Sequence, residues 1–271
     1  MSQNSLFDLS GETALVIGAT GVLGGAMAEA LAAAGAKVAV GGRNMERGFE
    51  RVEAITTAGG QATFVEIDAS SRESLEEAAT QVEKQYAPVS VLVNAAGGNA
   101  PKVVVTPDNP FEAISLEAFQ ENVDLNLVGG VFLPCQVFGP RMCAQRHGSI
   151  INIASVAAHH PLSKVVVYSA AKAAVLNITR FLGREWASQG VRVNSITPGF
   201  FPAEQNKKLL FNEDGTPTPR AQSILDHTGM KRFGEAKELG GAAVFLASEA
   251  ASGFITGTDI RVDGGFLSQT I

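Results

Sequence analysis

Two side chains four residues apart, Tyr168 and Lys172 in VVVYSAAKAAV, are the ones on which proton chemistry would turn. On a helix that spacing puts both on one face. An ammonium beside a phenol stabilises the phenolate and draws a pKa of about 10 toward the working range. A tyrosine so tuned gives or takes the proton when a hydride moves to or from the adjoining carbon. The same pair is common on solvated helix faces, so it decides nothing alone. Ser155 stands thirteen residues earlier, just past the apolar run SIINIA, where its hydroxyl can hydrogen-bond the same substrate oxygen. Asn126, in NVDLNLVGG, lies in a long helical stretch, and a buried amide there can hold a water behind Lys172.

A second set of residues suits a phosphate-bearing ligand. GATGVLGG, residues 18–25, sits between the strand-like ETALVI and the helix-like AMAEALAAAG. Glycines there let the backbone approach a pyrophosphate, and the helix start offers free N–H groups and its positive dipole end. Gly18, Thr20 and Gly21 are the expected contacts, with Val22 and Leu23 contributing backbone where glycine is usual. A ribose 2′-OH would call for an acid at the end of the second strand. KVAVGGRN has none: Gly42 holds the position, followed by Arg43 and Asn44. Glycine leaves room for a 2′-phosphate and arginine can grip it, so NADP(H) is expected over NAD(H). Asp68, with Ala69 beside it, follows the third strand and can accept from an adenine amino group. Asn94, Ala95 and Gly97, in VNAAGG, close the fourth strand with the small residues that a cofactor lying across strand ends requires.

These residues need a frame. Runs rich in Val and Ile recur at 13–17, 37–41, 62–67, 89–94, 149–154, 191–196 and 259–262. Helical stretches lie between them at 22–34, 47–59, 71–86, 115–144, 165–188 and 235–248. Strands alternating with helices predict an α/β fold: a Rossmann-type doubly wound parallel sheet of about seven strands, helices on both faces, in a single domain over 1–271. Continuous rather than alternating apolar runs agree with strands covered on both sides. One segment, 198–234, breaks the rhythm with proline, glycine and charge. It follows a strand, on the carboxyl edge where such folds bind ligands, and is read as a substrate-covering insertion.

The bulk properties exclude several classes. A chain of 271 residues with net charge −6 lacks the basic balance that a nucleic-acid partner wants. No apolar run approaches the roughly 18 residues needed to cross a bilayer, so no membrane partner is expected. The N-terminal MSQNSLFDLSGE is no secretory signal. Cys135 and Cys143, eight apart on one helix, cannot pair and do not make a zinc site, so no metal is expected. Reduced thiols suit a cytoplasmic protein.

Taken together, the sequence resembles the short-chain dehydrogenases/reductases, in the branch of about 250 residues. The resemblance runs from LSGETALVIGATG to GFITGTDIRVDGG, and its carriers are the glycine loop, Asp68, NAAG at 94–97, Asn126, Ser155, YSAAK at 168–172, RVNSITPG at 192–199 and DGG at 263–265. It implies a catalytic Asn126–Ser155–Tyr168–Lys172 tetrad. It also implies ribose contacts from Tyr168 and Lys172, nicotinamide contacts from the backbone of Pro198, Gly199 and Phe201, and a homotetramer. The chain departs from the family pattern at Ile17 and Val22 in the glycine loop, at Ala95, and at Ala203 where a threonine is common.

A narrower resemblance, carried by PGFFPAEQN, LFNEDGTPTPR and HTGMKRFGE, is to the D-mannonate oxidoreductase or fructuronate reductase-like subgroup. It implies a small-molecule substrate that is a sugar acid. Gln205, Asn206 and Arg220 of the insertion suit hydroxyls and a carboxylate, and Asn99 and His159 reach toward the same cleft with Ser155. The loop AAHHPLSKV departs from that subgroup. A 3-ketoacyl or simple ketone reductase of the same family would prefer an apolar cleft. A dinucleotide-sensing protein without catalysis would have no need of all four tetrad groups at these spacings.

Overall fold

TALVI shows why the strands form. All five residues are buried, Leu15 and Ile17 into one core and Ala14 and Val16 into the other, so both faces of the strand exclude water. The structure, a computed structural model, describes residues 5–203, 207 and 209–269. Seven strands are β1 (Thr13–Ile17), β2 (Lys37–Gly42), β3 (Gln61–Glu66), β4 (Val91–Asn94), β5 (Gly148–Ile153), β6 (Val191–Pro198) and β7 (Asp259–Val262). They form one parallel sheet in the order β3-β2-β1-β4-β5-β6-β7. The expected doubly wound α/β sheet is what the chain builds.

The helices are α1 (Val22–Ala33), α2 (Met45–Thr57), α3 (Arg72–Gln85), α4 (Leu116–Val123), α5 (Leu133–Gln145), α6 (Val166–Glu185), α7 (Pro219–His227), α8 (Gly240–Ala247) and α9 (Glu249–Ser252). On one face, Met27 and Leu31 of α1 and Leu246 of α8 pack over Val16 and Val40. On the other, Leu75 of α3, Phe138 and Met142 of α5 and Val175 of α6 pack over Leu15 and Ile150. Ser71 caps α3 by accepting from the Ser74 N–H at 3.2 Å, as its position in the sequence predicts.

Two expectations need correction. The stretch 235–248 is a 3-10 turn, Ala236–Leu239, followed by α8. The long helix has the expected length but is more apolar than the sequence suggested. Leu116–Gln145 spans 30 residues, with mean hydropathy 1.2 over 18 of them, enough by length and composition to cross a bilayer. Half of that stretch is buried within the fold, against α3 and α6, so it serves as a core helix. Its middle, Asp124–Phe132, is π-helical. There the Asn126 side chain donates to the Asn122 carbonyl at 2.9 Å, in competition with the backbone ladder.

Sheet order creates the ligand crevice. β1 pairs with β2 on one side and β4 on the other, and the chain leaves their carboxyl ends in opposite directions. Between β6 and the Ala236 turn lies the longest connection, holding α7. This segment has an apolar cluster of its own, Leu210, Ala221 and Ile224, with Phe200, Phe211 and Phe233 packed around it.

Candidate active site

At the end of β1 the chain must turn sharply beside β4. Gly18 has φ +92°, and a Cβ there would lie 2.7 Å from the Ala95 carbonyl carbon. Only glycine fits both demands. Gly21 is the N-cap of α1 and supplies no capping side chain, so the first N–H groups of α1, from Val22 and Leu23, face the loop uncapped. A groove of about 410 Å³ opens beside this turn. Gly18, Thr20, Gly21, Arg43, Asp68, Ala69, Ala95, Gly97 and Asn99 of the sequence-predicted set line it.

Gly42 has a more specific reason than open space. A Cβ there would stand 2.7 Å from Thr20 Oγ1, so the missing acid leaves the volume that Thr20 fills. Arg43 and, one helical turn further, Arg47 line the groove, and neither side chain has a partner among the described residues. Arg47 was not singled out from sequence; its signal is its place three residues after the α2 N-cap. Asn44 is that cap, accepting from the Arg47 N–H at 2.9 Å, which gives its side chain a structural duty instead of a ligand. Asp68 Oδ1 accepts the Ser70 N–H at 3.0 Å, leaving Oδ2 with no partner among the described residues.

The side chain of Asn94 turns inward. It donates to Asn152 Oδ1 at 2.9 Å, and its own Oδ1 is buried without a partner, so only its backbone faces the ligand side. Phe201 is likewise 7% exposed and packed into the core against Gly234. It lines one cavity on this edge together with Phe200, and Phe200 also lines a second. Pro198 ends β6, and the Gly199 N–H donates to the Val262 carbonyl at 2.9 Å, fixing that loop to β7.

Four residues from three elements meet beside Gly97 in the wall of the groove. Ser155 follows β5, Tyr168 and Lys172 lie on α6, and Asn126 lies on the π segment. The Ser155 hydroxyl stands beside the Tyr168 phenol and acts to lower its pKa. Lys172 Nζ sits 5.8 Å from the centre of the Tyr168 ring and donates to the Ile153 carbonyl at 2.8 Å. Asn126 is fully buried and holds Gly98 by both its backbone groups, accepting at 3.0 Å and donating at 2.7 Å. Its amide is thus occupied with the loop after β4 rather than open to a water.

The electrostatics correct a simple expectation. Burial raises the Tyr168 phenol above its ordinary 10, and the Ser155 hydroxyl offsets only part of that. Burial also lowers Lys172 to about 8. In this arrangement desolvation outweighs the pull of the lysine on the phenol, which keeps its proton at neutral pH.

Other predicted positions fall differently. His159 Nε2 faces Asp259 Oδ2 at 3.1 Å and Thr197 Oγ1 at 3.3 Å. Asp259 Oδ1 accepts from Ser195 and Thr197 at 2.7 and 2.8 Å, so a nearly buried, well-satisfied carboxylate engages His159. Arg220 lines another cavity, between α7 and the loop that follows Ser155. Gln205 and Asn206 lie outside the described residues. Among the described residues no three His, Cys, Asp or Glu side chains form a metal-binding group. Cys135 and Cys143 are free thiols, and burial pushes Cys135 up to about 12.

A dinucleotide-type sheet with an uncapped helix at the switch point, and a Ser–Tyr–Lys set beneath it, defines an NAD(P)-dependent oxidoreductase. The family model described as enoyl-(acyl carrier protein) reductase matches residues 18–267. The chain belongs to the short-chain dehydrogenase/reductase family. An uncharacterized oxidoreductase, UxuB, of Bacillus subtilis is 41% identical over 97% of both chains. A proposed D-mannonate oxidoreductase from Haemophilus influenzae, solved with bound NAD, superposes with TM-score 0.91 at 36% identity over 97% of each chain. A gluconate 5-dehydrogenase from Burkholderia cenocepacia, in complex with NADP and tartrate, gives TM-score 0.87 at 31% identity, covering 98% of this chain and 99% of that one.

Proposed function

We propose that the protein moves a hydride between NADP(H) and a secondary alcohol or ketone of a sugar acid, such as mannonate or fructuronate. The observation that carries this is Tyr168 set beside Ser155 and buried Lys172, next to a groove whose two arginines are unpaired among the described residues. The groove fits a dinucleotide: α1 starts uncapped at the turn, small residues line the strand ends, and Arg43 and Arg47 stand where a 2′-phosphate would lie. The nicotinamide, when bound, supplies or accepts the hydride.

The chain's own residues do the rest. Ser155 hydrogen-bonds the substrate oxygen and holds it against Tyr168. The protonated Tyr168 phenol donates to that oxygen as the carbonyl is reduced, and its phenolate recovers the proton in the reverse direction. Lys172, fixed by the Ile153 carbonyl, supports the phenolate from below and reaches the ribose hydroxyls. Asn126 holds the Gly97–Gly98 loop that forms the groove wall. Backbone of Pro198 to Phe201 meets the nicotinamide side. The segment 198–234 covers the substrate. Exposed apolar residues on the long helices, Phe119, Phe132 and Phe181, are what a homotetramer would cover. Cytoplasmic residence agrees with the free thiols.

The sugar-acid reading draws on what the similar proteins are named for, a mannonate and a gluconate. An absorbance screen of NADPH and NADH against keto-hexonates, aldonates and ketoacyl thioesters tests it. Turnover of a hexonate, with NADPH preferred, is expected. Preference for ketoacyl thioesters would replace the substrate reading and leave the proton chemistry in place.

A further inference from the structure

A cavity of about 380 Å³ lies between the loop that joins Ser155 to Tyr168 and helix α7. Its charged walls are all basic or imidazole: Lys164 from the loop, Arg220 and His227 from α7. Among the described residues no carboxylate lines it, in a protein whose net charge is −6. Neither the Lys164 ammonium nor the Arg220 guanidinium has a hydrogen-bond or ion-pair partner among the described residues. Some exposed cations elsewhere do pair, as Lys102 does with Glu121 and Arg232 with Glu238. Two unpaired cations converging on one cavity raise the local potential there despite the opposite global sign.

The rest of the lining suits a polyhydroxylated ligand. Phe200 and Phe266 meet edge to face, centroids 5.1 Å apart, and form an apolar floor for carbon–hydrogen faces. Ser163 and Ser223 add hydroxyls. His227 Nδ1 donates to the Ser223 carbonyl at 2.8 Å, which turns Nε2 outward to meet a hydroxyl.

Lys164 is placed with some effort. Its φ of +72° lies in the sparsely populated left-handed region, and the Val105 N–H grips its carbonyl at 2.9 Å. It precedes Tyr168 by four residues, within about 14 Å of extended chain. A six-carbon acid bound with its ketone at Tyr168 would extend its far end this way.

We propose that this cavity is the carboxylate subsite of the substrate cleft, with Arg220 and Lys164 as the anion-binding pair. The inference rests on the oxidoreductase reading above and names the chemical class its substrate must carry, a carboxylate remote from the reacting carbon. A carboxylate fits better than a phosphate. At the start of α7 Pro219 has no N–H, and Thr218 takes the Ala221 N–H at 3.2 Å, so no cradle of backbone donors faces a dianion. The planar arginine fork matches two carboxylate oxygens.

The experiment compares kcat/KM for matched pairs, each keto acid against its primary amide and its phosphorylated neutral analogue, in wild type, Arg220→Ala, Arg220→Lys and Lys164→Ala. Wild type is expected to prefer the acid over the amide. Arg220→Ala should reduce that preference about 10- to 100-fold through KM, with Lys164→Ala next and Arg220→Lys partly restoring it. Lys84→Ala, on distant α3, should leave the preference as it is. No preference for the acid in wild type, a preference for the phosphorylated analogue, or equal loss on acid and amide in Arg220→Ala overturns the subsite. If short keto acids are preferred to sugar acids while the Arg220 effect persists, the subsite stands and the sugar reading falls. Melting curves of each variant separate a lost contact from a lost fold.

Discussion

The two edges of one sheet treat charge in opposite ways. At the carboxyl edge Arg43, Arg47, Lys164 and Arg220 stand without ionic partners among the described residues, and the turn is built from glycine. Around the cavity at the amino edge the charges are engaged. His147 lies between Glu12 at 3.0 Å and Glu249 at 3.3 Å. Arg192 donates to Ser252 at 2.8 Å and to the Ala247 carbonyl at 3.3 Å. A cavity of about 340 Å³ exists there too, so a hollow alone does not mark a site. An edge whose charges satisfy one another stabilises the fold. An edge whose charges point into a groove is arranged for something that is not part of the chain.

The sharpest way to break that contrast is Tyr168→Phe. Turnover should fall about 10²- to 10⁴-fold, the range for a positioned acid or base. Melting should shift by no more than about 2–4 °C, since only the hydroxyl beside Ser155 is lost. Because burial holds the phenol above 10, carbonyl reduction should proceed well at neutral pH, and alcohol oxidation should climb as pH rises past 8. Steady-state kinetics in both directions checks this. Comparable activity in the variant, or oxidation fastest in acid, would remove Tyr168 from its role.

The next effect concerns Arg43 and Arg47. Replacing both by Ala should weaken NADPH about 10- to 100-fold and leave NADH within about twofold, read by fluorescence titration. Gly42→Asp adds a carboxylate and crowds Thr20, so it should weaken NADPH further without a matching gain for NADH. Equal affinities for the two cofactors in the unaltered protein would sink the 2′-phosphate argument. The neighbours alone do not decide it, since one was solved with NAD and another with NADP.

What the sequence made legible follows from distance along the chain. Strands buried on both faces announce themselves as unbroken apolar runs, and Tyr168 and Lys172 share a helix face at a fixed period. Ser155 was legible because it ends a strand. Arg47 and Lys164 were not, because only the folded turn of α2 and the left-handed bend at Lys164 bring them to their cavities. His159 looked like a ligand because its partner Asp259 comes 100 residues later. Asn94 was placed at the strand end, but that its amide answers Asn152 across the sheet was not legible, since Asn152 comes 58 residues later. The π segment left no sequence signal, for it depends on Asn126 reaching back to Asn122 and across to Gly98.

The smallest effect sharpens the amino edge. The hydrogen bond that His147 donates to Glu12, aided by the charges of Glu12 and Glu249, raises His147 above its ordinary 6.5 despite burial. Burial works against Glu12, but hydrogen bonds from His147 and Ser90 hold it below its ordinary 4.5. A raised folded-state pKa means the folded protein binds the proton more tightly than the unfolded chain. The His147 contribution is therefore complete below pH 6.5 and is lost as pH rises through its folded value. The Glu12 contribution is present above pH 4.5 and is lost as pH falls through its own lowered value. The pair stabilises most between those limits. His147 is 41% exposed, so the gain is that of a screened pair. His147→Gln should melt about 1–3 °C below wild type near pH 6, and the gap should close by pH 9, with kinetics at the opposite edge unchanged. A gap that stays constant across that range would show that His147 supports this edge by packing alone, and that its engaged charges contribute nothing to the contrast between the two edges.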